Sequence, residues 1–153
     1  MSYTPDTYTD YKHSVRAATA AVLAAFTHSA GVLTATANGA FPAQDGVTLA
    51  LDERILVKDE TAGNAPYNGL FYLSQVGTAG TPWKLTRTRD ADRAQELSGG
   101  SMVTVEEGTL NADTTWILST DGTITLGTTS LTFTQISGSG AVEEAFRRSW
   151  FGV

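Results

Sequence analysis

The chain has 153 residues, a formal net charge of -6, two histidines and no cysteine. Because 41% of the residues are hydrophobic, we expect one folded domain with short terminal segments. The acidic charge disfavours nucleic acid as a partner, and the lack of cysteine excludes disulfides, thiolate nucleophiles and cysteine-ligated metals.

The first 14 residues are polar and carry three tyrosines, Tyr3, Tyr8 and Tyr11. They show no hydrophobic period that would build a core element. We therefore predict an extended N-terminal arm over residues 1–14, whose tyrosines bind a partner.

The next stretch, residues 14–26, is ambiguous between helix and strand. Its apolar residues follow helical spacing, whereas Thr19 and the following residues 32–40 favour extended backbone. The apolar run at 17–26 is shorter than the roughly 20 residues of a membrane helix, so we expect no membrane insertion.

The middle of the chain alternates β-branched and apolar residues, a pattern typical of strands with one exposed face. Many of the 24 threonines lie in residues 114–136. Eight strands are predicted, at residues 47–51, 54–58, 69–76, 83–88, 101–106, 115–119, 123–126 and 130–136. They predict an all-β fold, a small antiparallel β-barrel or sandwich, for a domain at residues 15–136.

Turn residues and one cap refine this fold. Asp121-Gly122 predicts a two-residue hairpin between the strands at 115–119 and 123–126, and residues 59–69 read as an exposed hairpin tip. One short helix is predicted at residues 92–97, with Asp92 as the N-cap and Gln95 at the capping-box position.

The C-terminal end differs from the domain in composition. Residues 137–140 (SGSG) predict a flexible linker, and residues 141–153 predict a helical docking segment. Its candidate partner-binding residues are Val142, Phe146, Trp150 and Phe151. Since aromatic anchors dominate interfaces, we expect this segment to dock, either on its own domain or on a partner subunit.

Residues 15–136 resemble a β-rich module of bacteriophage and prophage tail-fibre and minor tail proteins. The resemblance is carried by VRAATAAVLAA (15–25), LTATANGAF (33–41), DGVTLALDERILVKDETAGNAPYNGLFYL (45–73), PWKLTRTRDADRAQEL (82–97) and VEEGTLNADTTWILSTDGTITLGTTSLTFTQ (105–135). It implies a virion location and a non-enzymatic structural role, with other tail or capsid proteins as partners.

The short chain also fits a second location on the virion. A single module with two anchoring ends is expected for a capsid decoration or head-fibre protein as well as for a tail component. Homo-oligomerisation is expected because virion parts repeat their subunits, and a trimer is our prediction by analogy.

Candidate chemistry is sparse in this sequence. Glu106 and Glu107 are adjacent carboxylates, but neighbours on a strand point to opposite faces and cannot flank a substrate together. The runs at 90–92 and 111–113 offer oxygen ligands that calcium prefers, but turns and caps explain them as well. We predict no catalytic residue, metal site or cofactor.

Aromatic residues suggest a third function, attachment to a host surface glycan. We assign Trp83 and Trp116 to core packing because they lie within predicted strands. Tyr67 and Asn64, in the loop at 59–69, are the candidate glycan contacts.

Overall fold

The structure is a computed structural model that describes residues 10–137. These residues form nine strands and two short 3-10 helices, so the predicted all-β class is confirmed. The strands are β1 (Ala17–Ala18), β2 (Phe26–Ser29), β3 (Val32–Ala35), β4 (Arg54–Val57), β5 (Gly69–Gln75), β6 (Lys84–Arg87), β7 (Met102–Thr104), β8 (Thr115–Leu118) and β9 (Phe133–Ser137). The 3-10 helices span Ala62–Tyr67 and Ala94–Glu96.

The strands form two open sheets rather than a closed barrel. The large sheet has the order β1-β4-β5-β6-β3-β2, and the small sheet has the order β7-β8-β9. β1 pairs with β4 in parallel, while every other strand pair is antiparallel. The barrel alternative of the prediction is therefore wrong for residues 10–137, and the pairing of β1 with β4 departs from the predicted antiparallel arrangement.

Two cores lie on opposite faces of the large sheet. The first core combines strand residues with buried residues from loops, including Phe41 and Leu49. The second core packs Leu56 and Leu70 of the large sheet together with Leu118 of the small sheet. β4 and β5 thus contribute side chains to both cores, which explains their nearly continuous apolar sequences.

Residues 11–18, which we call the N-terminal segment, join the two sheets. Tyr11 and Val15 make parallel bridges to Met102 and Val105 on one side. Further along, β1 pairs with β4 of the large sheet. Residues 10–14 of the predicted arm therefore lie against β7, and the ambiguous stretch at 14–26 contains β1 and no helix.

Two predicted strands do not form. Residues 47–51 make only one isolated bridge, between Gln44 and Val47, and β8 pairs with β9 instead of with residues 123–126. The hairpin prediction at Asp121-Gly122 is therefore wrong. Both stretches bury alternate apolar side chains, such as Leu49 and Ile124, without forming a ladder with a neighbouring strand.

The predicted helix at 92–97 is a 3-10 helix of three residues. Its N-cap is Arg93 instead of Asp92, and the Glu96 carboxylate accepts the Arg93 N–H at 3.1 Å in place of the predicted Gln95. The predicted hairpin connection at 59–69 does join β4 to β5, but it contains a 3-10 helix with buried Pro66.

Candidate functional site

A buried arginine marks the first candidate site. Arg87 ends β6 and is 4% exposed. Its guanidinium lies 4.9 Å from the centre of the Phe71 ring. Nη1 donates to the carbonyl oxygen of Asn68 at 3.2 Å, and Nη2 donates to the carbonyl oxygen of Pro66 at 3.1 Å. The loop between β4 and β5 thereby fixes the orientation of the guanidinium.

The positive charge of Arg87 has no acidic partner among residues 10–137. Its two hydrogen bonds within that range go to neutral carbonyl groups, and Nε is not used in either. Burial lowers the pKa of Arg87 to about 10. Gly69 makes room for this group, because a Cβ there would collide with Nη1.

Arg87 lines a cavity of about 440 Å³. The walls come from the turn between β2 and β3, from β6, and from the loop around Leu126 and Gly127. His28 lines the cavity as well, and burial, followed by the charge of Arg87, lowers its pKa. Asp92, which is exposed, completes the lining.

A second candidate site is the face of the small sheet that points away from the second core, which we call the outer face. Tyr11, Met102 and Ile117 form a cross-strand row on it, because each is paired with the next. Tyr11 is 57% exposed, and its hydroxyl forms a 3.0 Å hydrogen bond with Thr104 Oγ1. Thr115 extends the adjacent polar row through a 3.1 Å contact with Thr104.

The residues predicted for glycan contact differ in their exposure. Asn64 is exposed, whereas Tyr67 is half-buried against the first core. The Tyr67 ring stacks on His28 with centroids 4.3 Å apart and meets the edge of Phe26 at 6.1 Å. Its ring face is therefore engaged in packing. Of the other predicted site residues, Tyr11 is described above, and Tyr3, Tyr8, Val142, Phe146, Trp150 and Phe151 lie outside the described residues.

The two tryptophans considered as core residues occupy different environments. Trp83 is buried in the first core and packs edge-on with Phe41 at 5.0 Å. Trp116 is half-buried beside the second core, and Lys58 Nζ lies 4.4 Å from its ring centre. The prediction that both tryptophans pack in the core is confirmed for Trp83 and only in part for Trp116.

Polar residues of the two candidate calcium runs hold loops together. Asp90 pairs with Arg54 through contacts of 3.1 and 3.0 Å, and Asn111 donates its side-chain amide to Asp45 at 3.1 Å. Within residues 10–137, no three acidic or histidine side chains are grouped as metal ligands.

The adjacent carboxylates Glu106 and Glu107 are also engaged with the N-terminal part of the chain. Glu106 accepts the hydroxyl of Ser14 at 2.5 Å, and Glu107 accepts Nε of Arg16 at 2.6 Å. Arg16 also pairs with Glu53 at 2.5 Å. These contacts connect the N-terminal segment to the loop before β4, which contains Glu53, and to the loop after β7, which contains Glu106 and Glu107.

Neither Arg87 nor His28 was predicted from the sequence as a site residue. A signal for Arg87 was present, because it continues the alternation of Trp83 and Leu85, both of which face the first core. When an arginine occupies a strand position at which the alternation places core-facing side chains, a buried charge is predicted. The position of His28 beside it depends on the pairing of β2, β3 and β6, which a single sequence does not specify.

Comparisons of this chain with protein-family models, with curated proteins and with solved structures each find no match. The part of the chain at residues 10–137 contains no helix with the length and apolar character needed to cross a bilayer.

Proposed function

We propose that this protein is a non-enzymatic structural component of a bacteriophage virion, a tail-fibre or minor tail component. It assembles as a homo-oligomer, a trimer, and binds other virion proteins through its terminal segments. The sequence resemblance over residues 15–136 suggests the virion role, and the arrangement of the small sheet suggests how assembly occurs.

The observation that carries the proposal is that both ends of the described chain leave from one layer. The N-terminal segment flanks β7 at one edge of the small sheet, and β9 forms the other edge. Strands are spaced about 4.8 Å apart, so these two edges are separated by about 14 Å. The N-terminal segment runs parallel to β7, and β7 and β9 are both antiparallel to β8, so residues 10–137 enter the small sheet at one end of its strands and leave it at the other.

The outer face has the chemistry of a contact surface. Its row of Tyr11, Met102 and Ile117 is mainly apolar, and Thr104 and Thr115 on one side of the row provide hydroxyl groups. An apolar centre with a polar rim is typical of protein interfaces. We propose that this face, extended by a helical docking segment with Val142, Phe146, Trp150 and Phe151, binds a neighbouring subunit.

The non-enzymatic assignment is supported by the use of the acidic side chains. Glu106, Glu107 and Asp90 are all engaged with hydroxyl or cationic groups of neighbouring segments. Each of these pairs connects distant parts of the chain. A structural role in holding these segments together accounts for the three carboxylates.

A capsid decoration or head-fibre protein is the second candidate. One small module in which both ends of residues 10–137 belong to a single sheet suits a subunit that sits on a particle surface. A host glycan module is the third candidate, favoured by the exposure of Asn64 and weakened by the packing of the Tyr67 ring.

The test is the mass of the full-length protein in solution, measured by light scattering, for wild type and for Ile117→Asp. A trimer of the 16.2 kDa chain is expected for wild type, and a monomer for the variant, because a carboxylate would be buried in the interface. Leu110→Asp, at a residue that is 71% exposed in a loop, is the matched control and should remain trimeric.

Thermal unfolding of each variant shows whether the domain itself is intact. A trimer that survives Ile117→Asp would contradict the outer face as the interface. A wild-type monomer would contradict self-assembly and favour the decoration protein, whose symmetry is imposed by the surface to which it binds.

A further inference from the structure

We propose that the cavity beside Arg87 is a binding site for a small anion that carries a carboxylate or phosphate group. This inference is independent of the proposed structural role. It assigns a ligand to the cavity formed by the turn between β2 and β3, by β6 and by the loop around Leu126.

The charge of Arg87 is buried without a countercharge in residues 10–137. A buried cation is strongly disfavoured unless it is paired, and Arg87 is 4% exposed without an acidic partner in residues 10–137. Its two hydrogen bonds in that range use neutral carbonyl oxygens. An anion in the adjacent cavity would supply the missing negative charge.

The carbonyl groups of Pro66 and Asn68 hold the Arg87 guanidinium through Nη2 and Nη1, and its Nε–H takes no part in these two hydrogen bonds. A guanidinium presents its donors in a planar fork that matches carboxylate and phosphate oxygens. Because Arg87 lies on a paired strand and Gly69 accommodates it, the fork is preorganised before any ligand binds.

Other residues of the cavity lining can also contact an anion. His28, held by its stack on Tyr67, lines the cavity and offers ring nitrogens for a hydrogen bond. The exposed Asp92 is the acidic group in the lining, and its carboxylate lies 3.9 Å from Arg93 Nε. Leu126 provides an apolar wall for the body of an organic anion.

The chain provides its own reporter for this site. It has two histidines, and of these His28 lines the cavity while His13 is exposed elsewhere. The charge of Arg87 and burial both keep the pKa of His28 low. A bound anion would favour the charged imidazole and raise that pKa.

The experiment follows the histidine ring protons of the full chain by NMR while acetate, and separately inorganic phosphate, is added at constant ionic strength. We expect a saturable shift of the His28 signal and a raised His28 pKa, with His13 unchanged. Linear, equal shifts of both histidines would show nonspecific ion effects and overturn the proposal.

Variants identify the residues responsible. Arg87→Met should abolish the saturable shift, and Arg89→Met, at the exposed neighbour, should leave it unchanged. Since Arg87→Met alters a buried position, Ala30→Asp provides a second test. Residue 30 lines the cavity, is exposed and has φ of 48°, a conformation that aspartate tolerates.

The added carboxylate of Ala30→Asp should weaken anion binding at least about tenfold, because it repels the ligand at close range. Ala40→Asp, an exposed position outside the lining, is the control with the same net charge. Equal affinities for these two variants would contradict a site beside Arg87.

A carboxylate from the chain itself is the other source of the same chemistry. Glu143 and Glu144 follow the described residues, so the full-length double variant Glu143→Gln/Glu144→Gln is titrated in parallel. Binding by the double variant alone would support the site and identify an internal ligand. Failure of both proteins to bind acetate and phosphate would overturn the proposal.

Discussion

The two sheets of this molecule bury their strands in different ways. The central strands β4 and β5 of the large sheet contact a core on each face, and three of four β4 residues are buried. β7 of the small sheet is buried on one side, and only its middle residue is fully enclosed. The large sheet is therefore built for stability, whereas the small sheet retains a face available for contacts.

Substitution at the centre of the large sheet should have the largest effect on stability. Leu56 is fully buried between the sheets, and Leu56→Ala should lower the free energy of unfolding by about 3 kcal/mol, through lost burial and a cavity. Urea denaturation followed by fluorescence measures this change. Leu51→Ala, at a residue that is 55% exposed, should change it by less than about 0.5 kcal/mol. Equal losses would contradict the burial of Leu56 between the two sheets.

The next effect concerns the polar link between the two halves of the chain. The Asn68 side chain accepts the Glu60 N–H and donates to the carbonyl oxygens of Glu60 and Leu131, each at 3.0 Å. Asn68→Ala leaves these buried groups unpaired and should lower the free energy of unfolding by about 2 kcal/mol. Asn64→Ala, at the exposed position of the same loop, is the control for this denaturation measurement. A stable Asn68→Ala variant would show that water replaces the lost bonds.

A smaller effect depends on pH. Burial raises the pKa of Asp90, but hydrogen bonds from Arg54 and Thr88 outweigh it and leave the pKa below the usual 3.8. The ionised form thus stabilises the folded state above pH 3.8, and this contribution is lost as the pH falls through the folded pKa. Asp90→Asn should lower the free energy of unfolding by about 2 kcal/mol at pH 7.

The pH dependence of Asp90→Asn separates this explanation from a packing effect. The difference in unfolding free energy between wild type and variant should shrink in acid, measured by denaturation at a series of pH values. Asp52→Asn, an exposed substitution at a residue with φ of 69°, is the matched control. A constant difference down to pH 2 would rule out ionisation as the cause.

The smallest effect is expected on the outer face. Tyr11→Phe removes the hydroxyl contact with Thr104 at an exposed position, so the free energy of unfolding should change by less than about 0.5 kcal/mol. Thermal unfolding of wild type and of Tyr11→Phe measures this change in stability. A loss as large as that of Asn68→Ala would mean that the outer face is important for stability.

Several strands could be predicted from the sequence because their side-chain patterns reflect real burial. β5 and β8 start where the apolar alternation starts, directly after turn or polar residues. The stretch at 47–51 shows the limit of this reasoning. Its alternation correctly indicates that Val47 and Leu49 are buried, but alternation does not reveal whether a neighbouring strand is in reach.

Other features depend on partners far along the chain. β1 consists of Ala17 and Ala18, which carry no strand signal and are extended because they pair with Ile55 and Leu56. The cavity is likewise formed by segments from residue 28 to residue 127. Such features follow from tertiary pairing, which overrides local propensity.

The N-terminal segment also constrains the order in which the chain folds. Val15 pairs with Val105, a separation of 90 residues, whereas Ala17 pairs with Ile55 after only 38. During synthesis the large sheet can form first, and the segment must wait for most of the chain before it meets β7. Closing such long loops slows folding, so we expect refolding slower than that of a helical domain of this size. Before the N-terminal segment docks on β7, that strand exposes an edge that can pair with other chains.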